Sequence, residues 1–574
     1  MSKFNESFKV KRMLNKALEY CHHSRIHDAK KIYYDLIKII PSHPDLLTNL
    51  GTIELQLGNL ESGISFLKKS IEVNSNQSVA LSNLANALVD LGDFDQAILY
   101  YNLSIKINPK FLKAYCNRGR AYRKLHKYDE AVLSYQSALK LSPNDIDALI
   151  DLGFVYNEMH HFNKAIELYN AAIKINPNNT RAHYNKGVSL GNAKYFLEAI
   201  HECDQTLKIN PSFLDAYHLK VSYLINLKQF EEASKLIDQT ILKNFHSPEA
   251  FFNKSIINFY LNNFKEAWIF YESRFNLKVK NPYLISSNPE LSTFEIKSKT
   301  IYIWAEQGVG DQILFCTMLG DAFKTQNKFI VSLDARLIPL YSKSFSNYSN
   351  VTFTSHSEII DESLYDYHLP QANLGKFFRS SVNNFPNRSN FSYLKANAKK
   401  SSEFYKSIHL NNKKICGISW KSKNKETGHL KSINLKDFMP IFNIPNIIFI
   451  NLQYGDVTSD LKELKDLFGV EINLVDSIDL FNDLDSLASL IDVCDFVCSS
   501  SNATIHLAGA LGKESYLFTP YSDAKMWYWS HQNYSHSLWY PSISIFSQPT
   551  IDDWATPIQS VAKILTNKLK LENL

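Results

Sequence analysis

Small and apolar positions recur along the first half of the chain at a fixed interval. Ala97, Tyr101 and Pro109 return as Ala131, Tyr135 and Pro143, and again as Ala165, Tyr169 and Pro177. Followed both ways, the small residue stands at Ala29, Gly63, Ala97, Ala131, Ala165, Ala199, Ala233 and Ala267, every step being 34 residues. Twelve residues before each lies a second, mostly small residue: Ala17, Gly51, Ala85, Gly119, Gly153, Gly187, Val221 and Ser255. An internal repeat of this length predicts stacked helical hairpins. Small residues let the paired helices approach, and larger apolar ones fill the gaps. The Pro ends the second helix, because it cannot continue the backbone ladder. The pattern predicts an α-solenoid of about eight repeats over residues 8–278.

From about Lys299 this period disappears. Short apolar runs then alternate with helical stretches: Ile301–Trp304, Phe329–Leu333, Ile415–Trp420, Ile447–Leu452 and Asp495–Cys498. Strands alternating with helices imply parallel sheets covered on both faces. The predicted architecture is α/β, with Rossmann-like halves over 298–395 and 412–574. The polar stretch Ser380–Asn397 joins them. Ligands in such sheets bind beyond the carboxyl ends of the strands.

The hairpin pattern, as in Asn117-Arg118-Gly119-Arg120-Ala121-Tyr122, strongly resembles the tetratricopeptide repeat. Such solenoids offer a concave groove to a partner. Fourteen residues before each anchor lie Asn15, Asn49, Asn83, Asn117, Asp151, Asn185, Leu219 and Asn253. An Asn amide donates and accepts at once, so it can clamp a peptide bond whatever the side chain. A similar asparagine ladder holds the acceptor polypeptide in the O-linked N-acetylglucosamine transferases. On that reading Asn49, Asn83, Asn117 and Asn185 line an acceptor groove. The plainer reading, that Asn is common at this point of the repeat, stands beside it.

Composition narrows the function classes. Of 574 residues, 45% are hydrophobic and 21% charged, which is ordinary for a folded soluble chain. Lys plus Arg number 62 against 57 Asp plus Glu, so no concentrated basic face announces a nucleic-acid partner. The N-terminus shows no signal peptide, and no apolar run is long enough to span a membrane. The seven Cys, at 21, 116, 203, 316, 416, 494 and 498, form no CxxC pair and fit reduced thiols. Together these features point to the cytoplasm. All seven Trp fall at or after Trp268, so the two parts are built differently.

Three clusters could carry chemistry. The first strand runs into Ala305-Glu306-Gln307-Gly308-Val309-Gly310-Asp311. Gly308 and Gly310 allow close approach to the backbone, the helix start favours an anion, and Asp311 faces the cleft. The alternative is an Asp that caps the helix. The dinucleotide spacing G-x-G-x-x-G is absent, which disfavours nucleotide redox chemistry. After Trp420 come Lys421, Lys423, Lys425 and Lys431, a loop able to neutralise a diphosphate or simply a solvated basic loop. Gln453 ends the next strand. The third cluster is Ser499-Ser500-Ser501-Asn502, where hydroxyls and free backbone N–H groups converge at a small-residue helix. His506 lies one turn into that helix.

As a set, the Gly310-Asp311 turn, the His506–Gly512 helix and the Trp-rich tail resemble glycosyltransferase family nine, the heptosyltransferase-like group. Similar bacterial proteins join tetratricopeptide repeats to such a domain, and some modify flagellin or other proteins. The resemblance implies a GT-B architecture that transfers a sugar from a nucleotide-sugar donor, with no cofactor and no metal. Asp311 is then the general base. Gln307, Gly308, Gly310, Trp420, Lys421, Lys425, Gln453, Ser500, Ser501, Asn502 and His506 bind substrate. The repeats recruit a polypeptide acceptor. One departure stands out: the family has Asp where this chain has Ser501, so sugar contacts from that Asp do not carry over. Two alternatives remain, a non-catalytic scaffold with a degenerate transferase domain and a transferase acting on a cell-surface glycan.

Overall fold

The computed structural model describes residues 2–242, 247–277, 283–387, 391–408, 413–424, 427–475, 478–521, 525–530 and 535–572. The chain divides into two compact units, Met1–Tyr223 and Leu224–Leu574.

The first unit is a run of helical hairpins, from Ser2–His22 with Ile26–Ile39 through to Thr180–Asn192 with Phe196–Ile209. Ala29, Ala97, Ala131, Ala165 and Ala199 are fully buried where the helices meet. A Cβ added to Gly119 would stand 2.8 Å from the Tyr135 ring, and one on Gly153 would stand 2.7 Å from the Tyr169 ring. The glycines are there because the tyrosines occupy their side-chain space. Neighbouring hairpins are stapled by polar pairs such as Lys220–Asp204 at 2.7 Å and Arg118–Asn102 at 2.7 Å.

The turn between paired helices is equally regular. Ser24, Gly58, Gly92, His126, His160, Lys194, Lys228 and Asn262 all have positive φ, spaced by the same 34 residues. Each hairpin thus turns through one left-handed residue, although only two of the eight are glycines.

The boundary falls within the helix Leu214–Asn226, and the second unit carries Phe230–Leu242 and then the last hairpin, Pro248–Tyr260 with Phe264–Tyr271. The repeat pattern runs on to about residue 278, but the compact unit begins at Leu224, ahead of the expected domain boundary. The reason is packing. Phe259, Phe264, Trp268 and Tyr271 are buried in one continuous core with Ile301, Phe315, Leu374, Trp527 and Trp539. An added Cβ on Gly375 would fall 2.1 Å from the Trp268 indole.

Two parallel sheets follow. β1 (Thr300–Trp304), β2 (Lys328–Leu333), β3 (Val351–Ser355) and β4 (Tyr367–Pro370) pair in the order β3-β2-β1-β4. β5 (Lys414–Ser419), β6 (Ile447–Asn451), β7 (Ile472–Asn473), β8 (Phe496–Ser500), β9 (Ser515–Thr519) and β10 (Ile543–Ser547) form a sheet ordered β10-β9-β8-β5-β6-β7. In both, the order reverses beside the first strand, and a crevice opens there at the strand ends. Among the described residues no helix is long and apolar enough to cross a membrane.

Candidate functional site

The turn after β1 is held on several sides. Glu306, 6% exposed, receives Arg274 Nε and a second guanidinium nitrogen at 2.8 Å each, and the Ala372 N–H at 3.1 Å. Gln307 donates to Tyr271 Oη at 3.1 Å, and Gln312 donates back to the Gln307 carbonyl at 2.8 Å. Gly308 takes the cap position of the helix Val309–Phe315, so Asp311 is not its cap. Instead Asp311, half-buried, accepts at Oδ1 from the Tyr528 phenol at 3.0 Å. A Cβ on Gly310 would lie 3.1 Å from the His506 ring, so this glycine lets the His506 helix come close.

The ends of β5, β6 and β8 are tied into one network. Gln453 Oε1 accepts from Ser419 Oγ at 3.0 Å and from the N–H groups of Trp420 and Lys421 at 2.9 and 2.7 Å. Asn502 Nδ2 donates to Ser419 Oγ at 2.7 Å and to the Lys421 carbonyl at 3.2 Å. Asn502 also caps the helix Ala503–Ala510 by accepting from the Thr504 N–H at 3.0 Å.

Strand ends from both sheets line one cleft of about 260 Å³. Val309 and Gly310 follow β1, Arg336 follows β2, and Ser501, Asn502 and His506 follow β8. Lys431 and Tyr528 complete its polar wall. A neighbouring cavity of about 380 Å³ shares Tyr454 and Phe481 with it and is lined by Gln453.

The charges in the cleft are held under tension. Burial raises the Asp311 carboxyl above its ordinary value, opposed by the Tyr528 hydrogen bond and by Lys431. Burial lowers the Lys431 ammonium, while Asp311 works to raise it. Lys431 is only 7% exposed. Burial also lowers His506 to about 3, with Lys431 adding to the effect. Its imidazole is therefore neutral at ordinary pH, with Nδ1 lying 3.3 Å from Tyr540 Oη. Arg336 is gripped by Asp334 and lies over Phe481 at 4.6 Å.

The sequence-predicted residues separate into groups. Gly310, Ser501, Asn502 and His506 line the cleft, whereas Asp311 lies behind its lining, bonded to the lining residue Tyr528. Gln307 is bound to Tyr271, and Gly308 is exposed at the head of the turn. Trp420 is fully buried in the core, with its indole donating to Asp460 at 3.0 Å. Ser500 is fully buried too. Lys421 is ion-paired with Asp460, so its charge is already met. Lys425 lies outside the described residues. Lys431, read only as one of a basic cluster, is the lysine that enters the cleft. Arg336, Tyr528 and Trp529 were not read as site residues. Trp529 Nε1 donates to Ser501 Oγ at 3.0 Å, and its ring lies 4.8 Å from that of His506. An Arg three residues after the strand Phe329–Leu333 was a legible signal for Arg336. Among the described residues no group of three or more His, Cys, Asp or Glu could hold a metal ion.

The asparagine column is partly spent within the first unit. Asn83 donates to Thr52 at 2.8 Å, Asn117 to Asn86 at 2.9 Å and Asn49 to Tyr33 at 3.3 Å. All three bonds run to the preceding hairpin. Asp151, in the same column, pairs with Arg120 and Arg181. Asn185 is half-buried at the same register.

Models of the tetratricopeptide repeat match residues 44–77, 78–111 and 112–145, and a further repeat model matches 161–193. These segments are tetratricopeptide repeats. The solved structures similar to the chain include a tetratricopeptide repeat protein from Parabacteroides merdae, 16% identical, covering 43% of this chain and 98% of its own at TM-score 0.35. They also include MamA from Desulfovibrio magneticus, 22% identical, covering 30% and 96% at TM-score 0.28. Among curated proteins, Protein FlbA of Caulobacter vibrioides is 28% identical over 330 residues, 55% of this chain and 54% of that protein. The chain spans about half the length of that relative. Tetratricopeptide repeats are protein-interaction modules, and here they are followed by an α/β region of parallel sheets.

Proposed function

We propose that the α/β region is a glycosyltransferase and that the tetratricopeptide repeats recruit its polypeptide acceptor. The observation that carries this reading is the cleft itself. Carboxyl ends of strands from two parallel sheets meet there, with Tyr528, hydrogen-bonded to the Asp311 carboxylate next to the cleft-lining Gly310, and a buried ammonium and a helix start in its wall. Asp311 takes the proton from the acceptor hydroxyl. The freed oxygen attacks the anomeric carbon of the donor, and the bond to the leaving phosphate breaks. Lys431 and the N-terminal end of Ala503–Ala510 stabilise the negative charge that develops on the leaving diphosphate. Resemblance to the metal-independent family-nine transferases supports this assignment.

The test is donor binding and hydrolysis. Calorimetry with a panel of nucleotide sugars, followed by hydrolysis assays, should find one donor that is turned over by the wild type and not by Asp311→Ala. Intact-mass analysis of cellular proteins should show a sugar increment that disappears without this chain. Failure of every nucleotide and nucleotide sugar to bind defeats the reading. In that case the scaffold alternative stands, and one observation favours it: Trp529 already occupies the Ser501 hydroxyl where the family carries an acid.

A further inference from the structure

We propose that Tyr528 positions Asp311, and that the last repeat hairpin sets Tyr528 through its neighbour Trp527. The inference rests on the reading of Asp311 as the base.

Trp527, Tyr528 and Trp529 form a single 3₁₀ turn. With three residues per turn, successive side chains point about 120° apart. Three neighbours in sequence therefore reach three different partners. The Trp527 ring stacks on Phe259 of the last hairpin, with centroids 3.8 Å apart and planes 12° from parallel. The Tyr528 phenol donates to Asp311 Oδ1 at 3.0 Å. The Trp529 indole donates to Ser501 and packs on His506. Phe259 is fully buried and also meets Trp268 and Tyr271 edge-on at 4.7 and 5.5 Å. The turn is thus pinned at both ends, and the middle residue can present its hydroxyl in only one place.

The effect on Asp311 is specific. By occupying Oδ1, Tyr528 fixes the plane of the carboxylate and leaves Oδ2 for the acceptor hydroxyl. The phenol also favours the ionised form against burial. The other groups that act on or lie beside this carboxylate are Lys431, Glu306, Tyr271, Tyr540 and His506. Of these, Lys431 stabilises the anion, Glu306 opposes it with a charge already held by Arg274, and His506 is neutral. Among the described residues, Tyr528 is the one side chain that donates a hydrogen bond to this carboxylate.

The experiment measures Asp311 directly, without relying on turnover. The full-length protein is treated with a carbodiimide and an amine across a pH series, and labelling of Asp311 is read by peptide mass spectrometry. Losing a hydrogen bond to a charged group, worth about 1.5 kcal/mol, corresponds to about one pH unit. Tyr528→Phe should move the labelling midpoint upward by about that amount. Phe259→Leu, which leaves the turn's three side chains intact, should move it in the same direction by less. Site-specific 3-fluorotyrosine at position 528 strengthens the donor without changing its shape, and should move the midpoint downward. Should Tyr528→Phe fail to fold, the fluorinated protein carries the test. An unmoved midpoint in it, or in a folded Tyr528→Phe, overturns the proposal, and an unmoved midpoint in Phe259→Leu overturns the link to the hairpin. A shifted midpoint with no donor hydrolysis in any form upholds the positioning role and defeats the transferase reading instead.

Discussion

Arg274 grips Glu306 through two hydrogen bonds of 2.8 Å, and both side chains are 1% exposed. The pair joins the end of the last repeat hairpin to the residue that opens the Asp311 turn. Breaking a buried ion pair by removing one partner costs about 3–5 kcal/mol, because the other charge is left uncompensated. Arg274→Ala should therefore sharply lower the thermal midpoint of the α/β region in calorimetry. Replacing both partners by apolar residues, Arg274→Met with Glu306→Leu, should recover much of the loss. Equal damage from the single and double variants would show that the charge imbalance is not the cause.

Acid should destabilise the same region through His506. Its folded pKa, about 3, lies well below the ordinary value of 6.5. The unfolded chain therefore binds this proton first. The stability that His506 contributes is complete above pH 6.5 and is lost as pH falls towards 3. Three and a half units correspond to about 5 kcal/mol at the low end. Urea midpoints measured from pH 7 down to pH 4 should fall less steeply for His506→Gln than for the wild type. Parallel slopes would remove His506 as the acid-sensitive group.

The periodic left-handed turn gives a prediction in the repeats. A non-glycine residue with positive φ costs about 1 kcal/mol that glycine avoids. His160→Gly should stabilise the first unit by about that amount, and Gly92→Ala should destabilise it similarly. Urea melts followed by circular dichroism would separate the two, and a destabilised His160→Gly would mean that its side chain outweighs its backbone.

Gly153→Ala tests the glycine–tyrosine fit. The new methyl would sit 2.7 Å from the Tyr169 ring, itself only 1% exposed. Overpacking of this kind costs about 1–3 kcal/mol. Pairing it with Tyr169→Leu should return part of the loss in the same melts, and a neutral single variant would show that the helices can separate freely.

The repeats were legible because every 34-residue step carries the same small and large positions, and burial bears them out. Five strands were legible as well, those with long runs of Ile, Val and Phe. Ser515–Thr519 and Ile543–Ser547 carry comparable apolar residues that the reading passed over, and the other three lack that signature. Val351–Ser355 alternates with Thr at a sheet edge, Tyr367–Pro370 is short and includes His368, and Ile472–Asn473 has two residues. At the site, the strand-end turns could be read because glycine, Ser and Asn cluster there. Tyr528 could not, since it reaches Asp311 from 217 residues away. Nor could sequence say which lysine of the basic cluster turns inward. That depends on Asp460, which claims Lys421, and on burial, which draws in Lys431. The tryptophan asymmetry proved sharper than a boundary marker. Trp268 lies edge-on to Trp527 and Trp539 at 6.0 and 6.5 Å, so the Trp-rich region begins inside the repeats.

That placement has an evolutionary consequence. Repeat arrays lengthen and shorten when recombination adds or deletes whole units. Ahead of Tyr223, an event in steps of 34 residues falls within the first unit and leaves the internal core of the second in place. The hairpin Pro248–Tyr271 has no such freedom, because Phe259, Trp268 and Arg274 are committed to the α/β core. Lineages descended from this chain can therefore vary in repeat number from the front, while the final hairpin is inherited together with the cleft.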